Sequence, residues 1–219
     1  MRSSAKRAVL HLFFPNRCPV CGKVIGAQER FCGDCEAKLT PYSGHSDIAG
    51  ASGFTAAYDY NSEVSPAIML LKDGIGGNSA YALGGALADR LTADGVTEDI
   101  DVIVPVPMYK SDRRRRGFDQ TELIAREVSD IIGVPVYMAA VKTRSTKAQK
   151  TLSKTEREHN LAGVFAVPEP ELIRGKRVLL IDDVCTTGST LAELTGVLFQ
   201  AGAASVYCAA CCKTPDKTN

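Results

Sequence analysis

Two groups of residues in this chain carry chemistry. The first is Cys18-Pro-Val-Cys21, followed after ten residues by Cys32-Gly-Asp-Cys35. A CxxC knuckle turns the backbone so that both sulfurs face one point, and Gly22 and Gly33 stand where such turns need a positive φ or a close backbone approach. Two knuckles supply four thiolates, a closed tetrahedral set for Zn2+ with no position left for water. The site is therefore expected to be structural, with zinc holding the short segment folded. An iron site of the rubredoxin kind shares this spacing.

The second group is Val178-Leu-Leu-Ile-Asp-Asp-Val-Cys-Thr-Thr-Gly-Ser-Thr190. An apolar run ends at Asp182 and Asp183, and a loop of Thr186, Thr187, Gly188, Ser189 and Thr190 leads into a helical pattern. Paired carboxylates accept hydrogen bonds from vicinal hydroxyls. Backbone N–H groups and hydroxyls at a helix amino terminus favour a phosphate, and glycine lets the backbone come close. A ligand with a diol at one side and a phosphate at the other is a ribose 5-phosphate.

Basic residues cluster in two further stretches. Arg113, Arg114, Arg115 and Arg116 follow Val104-Pro-Val-Pro-Met. Lys142, Arg144, Lys147, Lys150, Lys154 and Arg157 are spaced along 142–160. Either stretch suits a pyrophosphate, a nucleic-acid backbone or a plain solvated face. Cys208 and Cys211 also read CxxC, but they lie in an apolar run with strand character. Residues three apart on a strand point to opposite faces, so these are expected to be buried core cysteines.

The elements that must position these groups follow from hydrophobic periodicity. From Gly53 onward strands alternate with helices. Asp101–Val106 and Lys176–Ile181 read as strands without alternation, which are buried on both faces in parallel sheets. Phe54–Tyr60, Pro135–Val141 and Val164–Val167 read as extended. Leu83, Leu87 and Leu91, then Ile124, Val128 and Ile131, then Leu191, Leu194 and Leu198 mark helix stripes. The expected fold is α/β, a parallel sheet between helices with loops of function at the strands' carboxyl ends, preceded by a small zinc module. The expected division is a module at 1–40, a hood-like segment at 41–100 and the α/β core at 101–219.

Composition agrees with an ordinary globular chain: 219 residues, 45% hydrophobic, 23% charged and a formal net charge of +1. No run approaches the roughly 20 apolar residues of a membrane helix, so membrane insertion is not expected. Four of the 8 cysteines come early and four late, which fits a reduced chain with a metal site better than a disulfide scaffold. The apolar run Ala8–Phe14 is interrupted by His11 and followed by Pro15, Asn16 and Arg17 in place of small cleavage-site residues. It is expected to be a short helix beside the cysteine module, not a secretory signal.

The Val178–Thr190 segment resembles the phosphoribosyl pyrophosphate (PRPP) motif of type I phosphoribosyltransferases. That resemblance implies that Asp182 and Asp183 hold the ribose hydroxyls at the catalytic centre and that Thr186–Thr190 wrap the 5-phosphate, with Mg2+ accompanying PRPP. It also implies that the loop after the first core strand binds pyrophosphate. With Phe14-Pro-Asn-Arg-Cys18-Pro-Val-Cys21-Gly, Pro105-Val-Pro, Arg116-Gly-Phe-Asp-Gln120 and Thr146-x-x-Gln149-x-x-Leu152, almost the whole chain resembles the ComF (ComFC) competence-protein family. Position 119 is Asp where that family has Asn, and it is assigned no ligand role. The family resemblance implies a cytoplasmic protein of natural transformation that handles single-stranded DNA with a helicase-like partner. A nucleobase phosphoribosyltransferase of nucleotide salvage and a PRPP sensor without turnover are the other two readings.

Overall fold

The computed structural model describes residues 11–72, 77–144 and 163–215. In chain order its elements are α1 (Gly33–Glu36), β1 (Gly53–Asp59), α2 (Ser65–Lys72), α3 (Gly77–Ala93), β2 (Val102–Pro105), α4 (Lys110–Arg116), α5 (Gln120–Ile132), β3 (Val141–Lys142), β4 (Phe165–Ala166), β5 (Arg177–Cys185), α6 (Ser189–Gln200) and β6 (Ser205–Lys213). The main sheet has the order β1-β6-β5-β2, with every neighbouring pair parallel.

The uninterrupted apolar runs end up in the sheet because both faces are covered. Leu179, Ile181, Ile103, Ala209 and Cys211 join the core under α3 and α5. Their alternates Val178, Leu180, Val102, Val104 and Cys208 join Leu191, Leu194 and Leu198 of α6 on the other face. The leucine stripe of α3 is fully buried, as are Ile124 and Val128 of α5. A side chain at each strand position thus has a fixed face, which decides where the acidic residues of β5 point.

Three expectations change. The segment 41–100 does not lie outside the sheet order: β1 pairs with β6 from Gly53↔Tyr207 to Asp59↔Lys213 and forms an edge of the sheet. Its small residues Ala56 and Ala57 are buried, and they admit the close strand packing. Of the stretch Pro135–Val141, Val136 bridges Ile103 in parallel at the β2 edge of the main sheet, whereas Val141–Lys142 pairs with Phe165–Ala166 as a separate antiparallel two-stranded unit. Of the run Ala8–Phe14, Ala8, Val9 and Leu10 lie outside the described residues, and Leu12, Phe13 and Phe14 are 75–78% exposed and do not pack beside the cysteine module. The chain turns at Pro15 and Asn16, whose backbone N–H donates to His11 Nδ1 at 2.9 Å, and that turn aims the three side chains outward.

The cysteine module is bolted to helix α3. Tyr81 donates its hydroxyl to the Gln28 carbonyl at 2.9 Å, and Arg30 pairs with Asp89. Phe31 is buried and meets Tyr58 of β1 edge-on, with ring centroids 6.1 Å apart.

Candidate functional site

The four early cysteines converge. Their sulfurs lie within 4.8 Å of one another, with Cys21 and Cys32 3.6 Å apart. Zn–S bonds of about 2.3 Å in a tetrahedron put sulfurs roughly 3.8 Å apart, whereas a disulfide needs about 2.05 Å. The set fits a metal and not a bridge. Gly22 takes φ +76°, and its N–H closes the first knuckle on the Cys18 carbonyl at 2.9 Å. Gly33 needs no such conformation, because the second knuckle is the first turn of α1, where Cys35 and Glu36 N–H groups donate to Cys32. Burial pushes the Cys18 thiol up, but backbone N–H groups of Cys32, Cys21 and Val20 outweigh it and hold the group at about 7. Burial and the neighbouring thiols raise Cys35 instead.

The late cysteines do not converge on one another as a metal set among the described residues. Cys185, Cys208, Cys211 and Cys212 are buried, and burial pushes Cys185 and Cys208 up to about 12. They pack the sheet, as the strand alternation predicts.

The acidic pair sits where β5 passes the end of β2. The strand runs four residues beyond the expected Ile181, through Asp182 and Asp183 to Cys185. Extension follows from pairing: Asp182 lies opposite Ala210, and Val184 opposite Cys212, on a β6 that is equally long. Successive positions leave the sheet on opposite faces, so the two carboxylates have different surroundings. Asp183 is on the α5 side, with Lys72 Nζ at 3.1 Å and Gln120 Nε2 at 3.4 Å from Oδ2. Asp182 lines a cavity of about 200 Å³ with Val106, Met108, Tyr109, Arg116, Gln120 and Lys142. Burial and then the charge of Asp183 raise the Asp182 carboxyl well above the usual carboxylate range. Burial lowers the Lys142 ammonium, against the charges of Asp112 and Asp182.

The loop that follows has the geometry of an anion cradle. Gly188 caps α6 with φ +78°, and a Cβ there would meet Ile48 Cδ1 at 2.5 Å. Thr186 and Thr187 are exposed ahead of it, and Ser189 and Thr190 are half-buried. The Thr187 and Ser189 hydroxyls lie 2.9 Å apart. A helix of 12 residues thus presents its first N–H groups beside these hydroxyls, the arrangement that favours a phosphate.

The arginine run is not a loop but the short helix α4, stopped by Gly117. Only Arg116 of the four turns into the cavity, where it donates to Gln120 Oε1 at 2.8 Å. Arg113 pairs with Glu122 at 3.0 Å, Arg115 with Asp112 at 3.2 Å, and Arg114 is exposed. Asp119 is buried at the edge of the cavity, caps α5 by accepting from the Thr121 and Glu122 N–H groups, and accepts from Met108 N at 3.0 Å. It therefore fixes the loop after β2 to the start of α5. Lys147, Lys150, Lys154 and Arg157 lie outside the described residues.

Sequence reasoning missed Lys72 and gave Gln120 no role. Lys72 ends an apolar helical run, Ser65–Leu71, and is followed by Asp-Gly-Ile-Gly-Gly, a helix end pointing a cation at an unspecified neighbour. Nothing local says that the neighbour is Asp183, which is more than a hundred residues away.

Comparison with known proteins matches residues 114–219 to a phosphoribosyl transferase domain and residues 9–46 to a double zinc ribbon domain. The chain is 32% identical over 201 residues to the DNA utilization protein YhgH of Escherichia coli K12, covering 90% of this chain and 84% of that protein. It is 38% identical over 105 residues to competence protein F of Haemophilus influenzae, covering 47% of this chain and 45% of the other. Among solved structures it is similar to a glutamine phosphoribosylpyrophosphate amidotransferase from B. subtilis, with 21% identity, 62% of this chain and 27% of that chain covered, and a TM-score of 0.43. Among the described residues no helix is long and apolar enough to cross a membrane.

Proposed function

The chain belongs to the ComF/YhgH family, with a phosphoribosyltransferase domain behind a four-cysteine zinc ribbon, and from that premise we propose that it binds PRPP at the carboxyl ends of β2 and β5 and serves in the handling of incoming single-stranded DNA. The observation that carries the ligand reading is the meeting of Asp182, Lys142 and Arg116 around one cavity, with Asp182 on the strand β5 that leads into the Thr186–Thr190 loop. These are the chemistries of a sugar phosphate with a second phosphate group: carboxylate for hydroxyls, cations for pyrophosphate, N–H groups for the 5-phosphate.

In this reading the loop holds the 5-phosphate, Asp182 and Asp183 take the ribose hydroxyls, and Arg116 and Lys142 face the pyrophosphate. The acidic pair suits Mg2+, which keeps most of its ligands from phosphate oxygens and water. Bound there, it would neutralise charge on the leaving pyrophosphate. The protein's own part is to orient the sugar and place cations where that charge develops.

Support for the nucleic-acid role comes from the names of the relatives and from Arg113, Arg114 and Arg115, which stand on α4 outside the cavity. A helicase-like partner would act on the same strand, in the cytoplasm. Titration with Mg2+ and PRPP, beside a variant carrying Asp182→Ala and Asp183→Ala, tests the ligand reading; equal affinity for both proteins overturns it. A screen for pyrophosphate release over nucleobases then separates a transferase from the other readings: release with one base establishes turnover, and binding without release favours a sensor or a DNA-handling role.

A further inference from the structure

Resting on that ligand reading, we infer that Lys72 is a positioning residue of the site: it holds Asp183 on the protein's side of the acidic pair and leaves Asp182 as the carboxylate open to ligand. Lys72 belongs to none of the motifs. It is the last residue of α2, which buries Ala67, Ile68 and Leu71 and so anchors the stem of the side chain that follows them. Its ammonium lies 3.1 Å from Asp183 Oδ2, with the lysine side chain 38% and the aspartate side chain 11% exposed.

The lone pairs can be counted. A carboxylate offers about four acceptor sites. On Asp183, Oδ1 accepts from Val184 N at 2.7 Å, and Oδ2 has Lys72 at 3.1 Å and Gln120 at 3.4 Å. One site remains for a hydroxyl. On Asp182, Oδ1 accepts from Asp183 N at 2.8 Å, and the residue lines the cavity. Consecutive carboxylates repel, and the repulsion is strongest where water is scarce. Lys72 cancels the charge of one partner, so the other can be an anion beside the ligand without a second anion turning toward it. Helix α2 thereby contributes to the site through a charge, not through a wall of the cavity.

A double-mutant cycle on Mg2+–PRPP affinity tests this, with thermal unfolding run on each variant. Lys72→Met is expected to weaken binding about tenfold, and Lys72→Met in the Asp183→Asn background is expected to cost nothing further, because the lysine acts through that carboxylate. Lys72→Arg, which keeps the charge, is expected to restore affinity to within about twofold of wild type. Wild-type affinity in Lys72→Met, or a loss that adds in full to that of Asp183→Asn, overturns the inference and leaves the ligand reading intact. A wild-type protein that does not bind PRPP overturns both. A merely structural lysine would lower the unfolding temperature without the non-additive loss of affinity.

Discussion

Asp182 and Asp183 are consecutive on β5, yet their carboxylates have different partners: Asp182 lines the cavity, and Asp183 meets Lys72 Nζ and Gln120 Nε2. Their conservative substitutions are therefore predicted to move stability in opposite directions. Burial and the Asp183 charge raise the Asp182 carboxyl. A raised acid costs stability as pH climbs from its unfolded value near 3.9 through its folded one, so Asp182→Asn should raise the unfolding temperature at pH 8, with the gain fading toward pH 4. Asp183→Asn strips Lys72 and Gln120 of their acceptor charge and should cost about 1–2 kcal/mol, a few degrees in a chain of this size. Calorimetry of both variants without ligand checks this, and a shift of the same sign in both would refute the division of roles.

Gly188 is held at φ +78° with Ile48 beside it. Gly188→Ala meets the left-handed penalty of about 1 kcal/mol and pushes the end of the Ile48 side chain aside. The backbone escapes by leaving the left-handed region, which turns the N–H groups at the start of α6 away from the phosphate. Affinity for ribose 5-phosphate should fall by more than the unfolding temperature suggests. Unchanged affinity would mean that the loop does not bind through its backbone.

Zinc removal should divide the 8 cysteines evenly. A competing chelator is expected to release one metal per chain and expose Cys18, Cys21, Cys32 and Cys35 to a thiol reagent, since the module's fold depends on the bond set. Cys185, Cys208, Cys211 and Cys212 are buried and raised, so they should react only on unfolding. Eight thiols reacting together would show that the module and the sheet unfold as one.

Much of this was legible because the signals were local. The CxxC pairs, the apolar β5 run and the Thr186–Thr190 loop each declare their geometry within a few residues. The strand's extension to Cys185 was not legible, because it depends on the length of β6 beside it. Nor was the helical form of Lys110–Arg116, four arginines in a row that read as an exposed loop until Gly117 closes a turn on the Arg113 carbonyl at 2.8 Å. Asp119 shows the opposite case: assigned no ligand role on charge alone, it is the cap of α5. Lys72 lies beyond local reading altogether, since its partner is set by tertiary packing.

The amino ends of β2 and β5 are tied by Arg177, which reaches Asp101 Oδ1 at 3.0 Å through Nη2 and Oδ2 at 2.8 Å through its backbone N–H. Those two hydrogen bonds, side chain first, hold Asp101 down at about 2. A depressed acid contributes stability above its unfolded value and loses it as pH falls toward the folded one. Asp101→Asn should therefore unfold earlier than wild type at pH 6, and the gap should close between about pH 4 and pH 2. A gap that is constant across that range would assign the effect to packing.

The division of the arginine run makes the sharpest functional prediction. Arg116 lines the cavity, whereas Arg114 and Arg115 are exposed on α4. Arg116→Ala should weaken PRPP by about tenfold and ribose 5-phosphate little, because a guanidinium placed toward pyrophosphate does not touch the 5-phosphate. Arg114→Ala with Arg115→Ala should leave PRPP affinity as it is. On single-stranded oligonucleotides the same double variant should bind more weakly at every sequence, and its salt slope should fall by about 0.7 for each phosphate that is no longer neutralised. The two measurements are independent, one on a small ligand and one on a polymer. If the double variant loses PRPP and keeps its salt slope, the outer arginines belong to the cavity, and the nucleic-acid face must be sought elsewhere on the chain.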